Sequence, residues 1–256
     1  MKRYLLMSIS LLLFANIYLF AQETDEDSLL PPKHTRVGKI GGGLGFTPTI
    51  LFMNVDPINS ILTKSNAADL NSGPMMLYGG QGYGYVLLVE NLRVGGIGLG
   101  GSKSSAAWDP NTNTRRDINY HVGYGGVTIE YAWSLTPRLD ITPGIMLGAG
   151  GVEIKMTKNI IDTKNWNDLW NEYGSNDPTP EYSRTLTGSF FVYQPSVNVE
   201  YALLRWVGLR VGVSYLGMTG GSWKMDGNYD IVNVPSDING HGFMINTGVF
   251  VGTFLF

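Results

Sequence analysis

A chain of 256 residues with 34 Gly, 14 Tyr, 6 Trp and only 15% charged side chains fits a strongly coiled β-sheet better than a helical domain. With 18 Lys and Arg against 21 Asp and Glu, a net charge of −3 excludes the broad basic face of a general nucleic-acid binder. There is no Cys, so no disulfide framework holds the chain together.

In chain order, Lys2 and Arg3 precede an apolar run from Tyr4 to Phe20. Ala21 then stands before the polar turn Gln22-Glu23-Thr24-Asp25-Glu26-Asp27. This pattern predicts a cleaved export signal over residues 1–21, read by the general secretion route, and a polar leader over 22–35. Beyond it no apolar run is long enough for a transmembrane helix, so any further crossing falls to strands. Eight segments read as strands, near 36–46, 75–89, 92–103, 117–133, 139–156, 185–203, 206–219 and 241–256. In the sixth, Phe191, Tyr193, Pro195, Val197, Val199 and Tyr201 share one face against Gln194, Ser196, Asn198 and Glu200. In the fourth, Val127, Ile129, Tyr131 and Trp133 oppose Thr128 and Glu130, while Ile118, Tyr120, Val122 and Tyr124 carry the opposite parity. A bulge at Gly125-Gly126 would reconcile the two halves.

The connections alternate. Short ones fall at Glu90-Asn91, Ser134 to Arg138 and Leu204-Arg205, and long ones cover roughly 47–74, 104–116, 157–184 and 220–240. Short turns on one rim and long loops on the other predict an all-β, eight-stranded antiparallel up-and-down transmembrane barrel over residues 36–256. Tyr131, Trp133, Tyr201, Trp206, Phe254 and Phe256 gather at the short-turn rim, as an interfacial aromatic girdle would. The last strand, with Phe250, Phe254 and Phe256 on one face and Val249, Val251 and Leu255 on the other, resembles the C-terminal signature of bacterial outer-membrane barrels. The chain as a whole is similar, in topology and pattern, to the small outer-membrane proteins of the outer-membrane protein A and outer-membrane protein X type. The resemblance implies a monomer surrounded by outer-membrane lipid, handled by the barrel-assembly machinery through its last strand.

Lys39, Arg93, Glu130, Asp140, Glu200 and Arg210 all fall near a short turn or chain end. Charges inside a narrow lumen are costly unless paired, so these six are expected to form a salt-bridged floor and not an open pore. The resemblance implies the same. Higher up, Met146, Phe190, Val192, Leu216, Ile245, Val249 and Val251 are assigned to the lumen, as packed core or as a pocket for a small apolar molecule. His121 is placed there too, and His241 at the loop end of strand eight. Pro143 and Pro195, on neighbouring strands five and six, each remove a ladder donor and mark a candidate lateral gate for lipid.

In the loops, Asp56-Pro57 followed by Ile58, Ile61 and Leu62 predicts a short helix. Ile160, Ile161, Trp166, Leu169, Trp170 and Tyr173 recur at helical spacing and are read as a second lumen cap, with a segment lying on the outer leaflet or facing a partner as the alternatives. No enzyme signature, cofactor motif or paired metal-ligating His stands out. His121 or His241 with a Ser such as Ser102 supplies only weak catalytic material. The functional expectation is a structural, surface-contact or small-apolar-ligand barrel. The alternative is a membrane-embedded lipid-modifying enzyme, by acyl transfer or hydrolysis, with lipid entering between strands five and six.

Overall fold

A computed structural model of the chain describes residues 41–160, 165–175 and 181–253. The expected signal, the leader, His34, Lys39, Phe254 and Phe256 lie outside the described residues. The ordered elements begin with β1 (Gly42–Phe46), β2 (Thr49–Met53), α1 (Asp56–Lys64), β3 (Met75–Tyr85) and β4 (Leu92–Asp109). They continue with β5 (Thr114–Tyr131), β6 (Trp133–Thr136), β7 (Leu139–Ile160) and α2 (Trp166–Gly174). The last are β8 (Tyr182–Leu204), β9 (Val207–Met225), β10 (Tyr229–Ile231) and β11 (Gly242–Thr253).

All pairings are antiparallel, and the sheet closes on itself because β11 pairs with β9 on one side and with β1 and β2 on the other. β1 and β2 are one span: Gly42 faces Thr253 and Thr49 faces Asn246, so pairing lapses at Thr47-Pro48 without a change of register. β6 continues β5 beyond Ala132, and β10 is a short hairpin arm on β9. The result is an eight-stranded up-and-down barrel.

The structure changes several details of the sequence reading. The first strand does not stop at Phe46; it runs on to Met53, because a proline at a gap in pairing costs no ladder bond. Strands also overrun the expected loops. β4 and β5 form a hairpin up to Asp109 and Thr114, and β7, β8 and β9 extend to Ile160, from Tyr182 and to Met225. Apart from Trp108, Ile160 and Tyr182 those extensions expose mostly polar or small side chains, so the alternation that marks a half-apolar strand is weak in them. No bulge occurs at Gly125-Gly126. The β4–β5 register is constant from Leu92↔Tyr131 to Asp109↔Thr114, and Ile118, Tyr120, Val122 and Tyr124 face the lumen with Thr128 and Glu130. It is the lumen that changes from polar to apolar with height. The strand keeps its parity.

Above the polar floor the lumen is filled by Leu51, Met75, Leu77, Val122, Met146, Val152, Val192, Leu216 and Met244, all fully buried. The predicted helix in the first loop is α1, and it lays Ile58 and Leu62 onto this plug. The Asn59 amide anchors the loop by donating to the Leu70 carbonyl at 3.0 Å and accepting from the Leu70 N–H at 2.8 Å. The last loop is tied down by the Tyr120 hydroxyl, which donates to the Asn239 carbonyl at 2.7 Å. α2 takes up only the later part of the expected helical segment, since Ile160 ends β7, and Trp166, Leu169, Trp170 and Tyr173 are all exposed, so this segment does not cap the lumen.

Candidate functional site

Five strands deliver five charges to one layer: Arg93 on β4, Glu130 on β5, Asp140 on β7, Glu200 on β8 and Arg210 on β9. Each is at most 5% exposed. Arg210 holds Glu130 with two bonds, Nη1 to Oε1 at 2.9 Å and Nη2 to Oε2 at 3.2 Å, and reaches Glu200 with Nη2 at 2.8 Å. Arg93 donates to Glu200 and to Asp140, both at 3.1 Å. Asp140 and Glu200 face each other on the β7–β8 ladder, a like-charge pairing that is unfavourable alone. Arg93 answers both carboxylates at once by bridging them, while the two-pronged Arg210–Glu130 contact is the bidentate, charge-assisted kind that is strongest.

Sequence reasoning missed the aromatic half of this layer. From Tyr85 the order runs to Arg93, Tyr83, Arg210 and Phe250, rings alternating with guanidiniums across the lumen. Arg93 Cζ lies 4.7 Å from the Tyr85 ring centre and 4.4 Å from that of Tyr83; Arg210 Cζ lies 5.2 Å from Tyr83 and 4.5 Å from Phe250. Desolvated cation–π contacts of this kind add to the ion pairs. Tyr83 also donates its hydroxyl to Glu200 at 2.8 Å, Gln81 donates to Glu130 at 3.0 Å, and Tyr85 accepts from Arg93. The signal was available: Gln81, Tyr83 and Tyr85 share the inward parity of β3 at floor height.

Phe250 explains a further correction. The last strand is turned the other way from the sequence reading, with Phe250 fully buried and Val249 and Val251 on the outer wall. Glycines make the space. A Cβ at Gly45 would sit 2.7 Å from Phe250 Cγ, and one at Gly248 would sit 2.7 Å from its Cε2. Of the other residues assigned to an apolar lumen, Met146, Val192 and Leu216 are buried in the plug. Phe190 is half-buried and packs edge-on to Trp223, with ring centres 6.0 Å apart. Between floor and plug lies a cavity of about 20 Å³, into which Thr47, Thr128 and Gln194 turn oxygens with no protein partner. That is room for about one water, not for an acyl chain.

The lateral gate at Pro143 and Pro195 is not there. The β7–β8 ladder runs unbroken from Leu139↔Tyr201 to Lys158↔Tyr182, through Pro143↔Val197 and Ile145↔Pro195. The missing amides fall on the other seams. β5–β7 pairing ends at Glu130↔Gly144 and resumes on β6 at Trp133↔Ile141, and β8–β9 pairing lapses between Tyr193↔Gly217 and Ser196↔Ser214. A residue's N–H points to one neighbour only, so each proline spares the seam it was expected to open. His121 is not in the lumen either. It lies exposed on the outer face of β5, and His241 is exposed at the start of β11. Among the described residues no cluster of His, Asp or Glu has the arrangement of a metal site.

The fold is thus an eight-stranded antiparallel barrel with a charged, aromatic-stacked floor. No protein-family model and no curated protein matches the chain. Its structural neighbours are small outer-membrane β-barrels. The attachment invasion locus protein Ail of Yersinia pestis is 9% identical with a TM-score of 0.38, over 84% of this chain and 99% of that one. The N-terminal β-barrel domain of Pseudomonas aeruginosa OprF is 11% identical with a TM-score of 0.35, over 84% and 99%. A major outer membrane protein of Thermus thermophilus is 9% identical with a TM-score of 0.43, over 83% and 98%.

Proposed function

We propose that the chain is a monomeric barrel of the bacterial outer membrane, with a lumen sealed by its charged floor, that presents long strand extensions and loops at the cell surface. The observation that carries this reading is the outer wall. Leu44, Met76, Tyr78, Val94, Val127, Ile129, Leu147, Val197, Val199, Val211, Val213 and Val249 all point outward and are exposed, on strands that together encircle the barrel. An apolar girdle of that extent is untenable in water and natural in lipid. Tyr131, Trp133, Tyr201 and Trp206 are exposed at the short-turn rim, where an interfacial aromatic girdle belongs. Inside, buried ion pairs and the apolar plug above them support a closed barrel and a surface-contact role, and they leave no room for a small apolar ligand in the lumen.

The test has two parts. The folded protein should fractionate with outer membranes and migrate faster on gels before heating than after. Reconstituted in planar bilayers it should show no steady conductance. Recovery in the soluble periplasmic fraction would defeat the membrane reading, and steady channels would defeat the sealed lumen.

A further inference from the structure

Three side chains of distinct chemistry stand in one cross-strand row on the outside of the barrel. Ser102 of β4 faces His121 of β5, and His121 faces Glu153 of β7. All three are exposed on the outward parity of their strands. Side chains directly opposite one another on a sheet face have Cβ atoms roughly 5 Å apart. The His121 ring lies over Gly100 and Gly123, its Nε2 3.2 Å from where a Cβ on Gly123 would stand, and a rotamer change would bring it between the hydroxyl and the carboxylate. Among the described residues the three are not hydrogen-bonded to one another, and such contacts commonly tighten only in the substrate complex.

The row sits at a particular height. His121 is ten residues along β5 from Tyr131 of the rim girdle. At roughly 3.3 Å per residue and a tilt of about 40°, that is about 25 Å, the full height of a lipid-facing band. On the outer-membrane placement proposed above, on which this inference rests, Ser102, His121 and Glu153 stand where the outer leaflet's acyl chains end and its headgroups begin.

What lies below and above the row differs in kind. Directly below it the wall is glycine-rich, before Val127 and Leu147 resume the apolar face. Gly100 pairs with Gly123 and Gly98 with Gly125, and Gly80, Gly82, Gly96 and Gly98 line an outer groove of about 430 Å³ bordered by Leu44. A Cβ at Gly98 would meet nothing within 4 Å, so packing within the chain does not require glycine there. Above the row, Arg115, Lys155, Asn119 and Asp117 line a polar cleft of about 480 Å³. Arg115 Nε donates to both Asp117 oxygens, at 2.9 and 3.0 Å, and with Lys155 the cleft keeps one net positive charge.

We propose that Ser102, His121 and Glu153 form a hydrolytic centre on the lipid-facing wall that cleaves an acyl ester of an anionic outer-leaflet lipid. The acyl chain lies along the glycine groove, which opens directly to the bilayer, and the phosphorylated head lies against Lys155 and Arg115. His121 removes the Ser102 hydroxyl proton as the oxygen attacks the ester carbonyl carbon. The resulting oxyanion can accept a bond from the Asn119 amide, two residues along β5 on the same face. As the tetrahedral intermediate collapses, the bond to the lipid alcohol oxygen breaks and His121 returns the proton to that oxygen. Water then attacks acyl-Ser102, with His121 taking its proton and passing it to the serine oxygen, and fatty acid leaves. Glu153 holds the imidazole in orientation and balances its transient charge.

The experiment uses the full chain refolded into vesicles, in two arms: phosphatidylglycerol, and lipopolysaccharide mixed with phosphatidylethanolamine. Fatty acid release is followed by mass spectrometry, and the folded protein is separately treated with a fluorophosphonate that labels activated serines. Release in either arm, falling at least about 100-fold in Ser102→Ala and in His121→Asn, supports the site and identifies which lipid supplies the ester. Heat-shifted gel migration shows whether these variants are folded. If one is not, the fluorophosphonate adduct on the unaltered protein decides alone, and it must map to Ser102. Absence of that adduct, or release unchanged in a folded Ser102→Ala, overturns the proposal and leaves the membrane placement untouched.

Discussion

Arg93 and Glu130 stand directly opposite one another on the β4–β5 ladder, yet each is bound elsewhere. Glu130 gives both oxygens to Arg210, while Arg93 crosses to Glu200 and Asp140. Only Arg210 and Glu200, opposite one another on the β8–β9 ladder, bond as neighbours, so most of the floor's bonds run across the lumen. Such an arrangement braces strands that share no ladder, and it makes each guanidinium answer to two acids.

Arg210 is the residue to test first, because it takes both oxygens of Glu130 as well as reaching Glu200. Arg210→Met would leave Glu130 buried without a cation and Glu200 with Arg93 alone, and should cost about 3–5 kcal/mol of unfolding free energy in detergent–urea titration. Adding Glu130→Gln should recover part of that loss, since one stranded charge disappears. A single variant as stable as the parent would show that water reaches the layer.

Tyr83 separates the hydrogen bond from the stack. Tyr83→Phe removes only the donor to Glu200, a bond to a charged group, and should cost about 1.5–3 kcal/mol. Tyr83→Leu also removes the ring between Arg93 and Arg210 and should cost measurably more, by about the further 0.5–2 kcal/mol of a buried cation–π contact. Equal losses in the two variants would mean that the stacking contributes nothing.

Much of this was legible in the sequence and some of it was not, for physical reasons. Topology was legible because turn residues and apolar alternation repeat eight times, and the floor charges because Arg93, Glu130, Asp140, Glu200 and Arg210 interrupt that alternation on one parity. The orientation of β11 was not legible, since Phe250 and Val249 are both apolar and either face could meet lipid. The same ambiguity put His121 in the lumen: with Ile118 to Tyr124 apolar on one parity, a parity switch at Gly125-Gly126 looked cheaper than an apolar plug inside the barrel. The row of Ser102, His121 and Glu153 lies on three strands and becomes visible only once the register between them is known.

Gly45 gives a reciprocal test of the β11 orientation. Gly45→Ala would put a methyl 2.7 Å from Phe250 Cγ and 2.7 Å from the Val249 carbonyl oxygen. Overpacking of this kind should cost about 1–3 kcal/mol. Phe250→Leu in the same chain should relieve part of the clash, so the double variant should be more stable than the sum of the two single losses allows. Strict additivity would mean that Phe250 does not face Gly45.

Val127 tests the outer wall. It points outward on β5, is 56% exposed, and is bordered across the ladders by Gly96 and Leu147. It lies four residues from Tyr131 at the rim and six from His121 at the upper edge, so it falls near the middle of the apolar band. An exposed valine on a water-soluble barrel tolerates arginine within about 0.5 kcal/mol. The same change facing the centre of a bilayer should cost about 2–4 kcal/mol, because the guanidinium must snorkel or draw water inward. Thr187→Arg, on the outward face of β8 opposite Glu153 at the upper edge of the band, is the matched control and should cost at most about 1 kcal/mol. Both variants are measured by urea titration of the protein refolded in vesicles. A difference between them of about 2 kcal/mol or more is the result expected if the girdle faces lipid. Equal and negligible losses would mean that β5 faces water along its whole length.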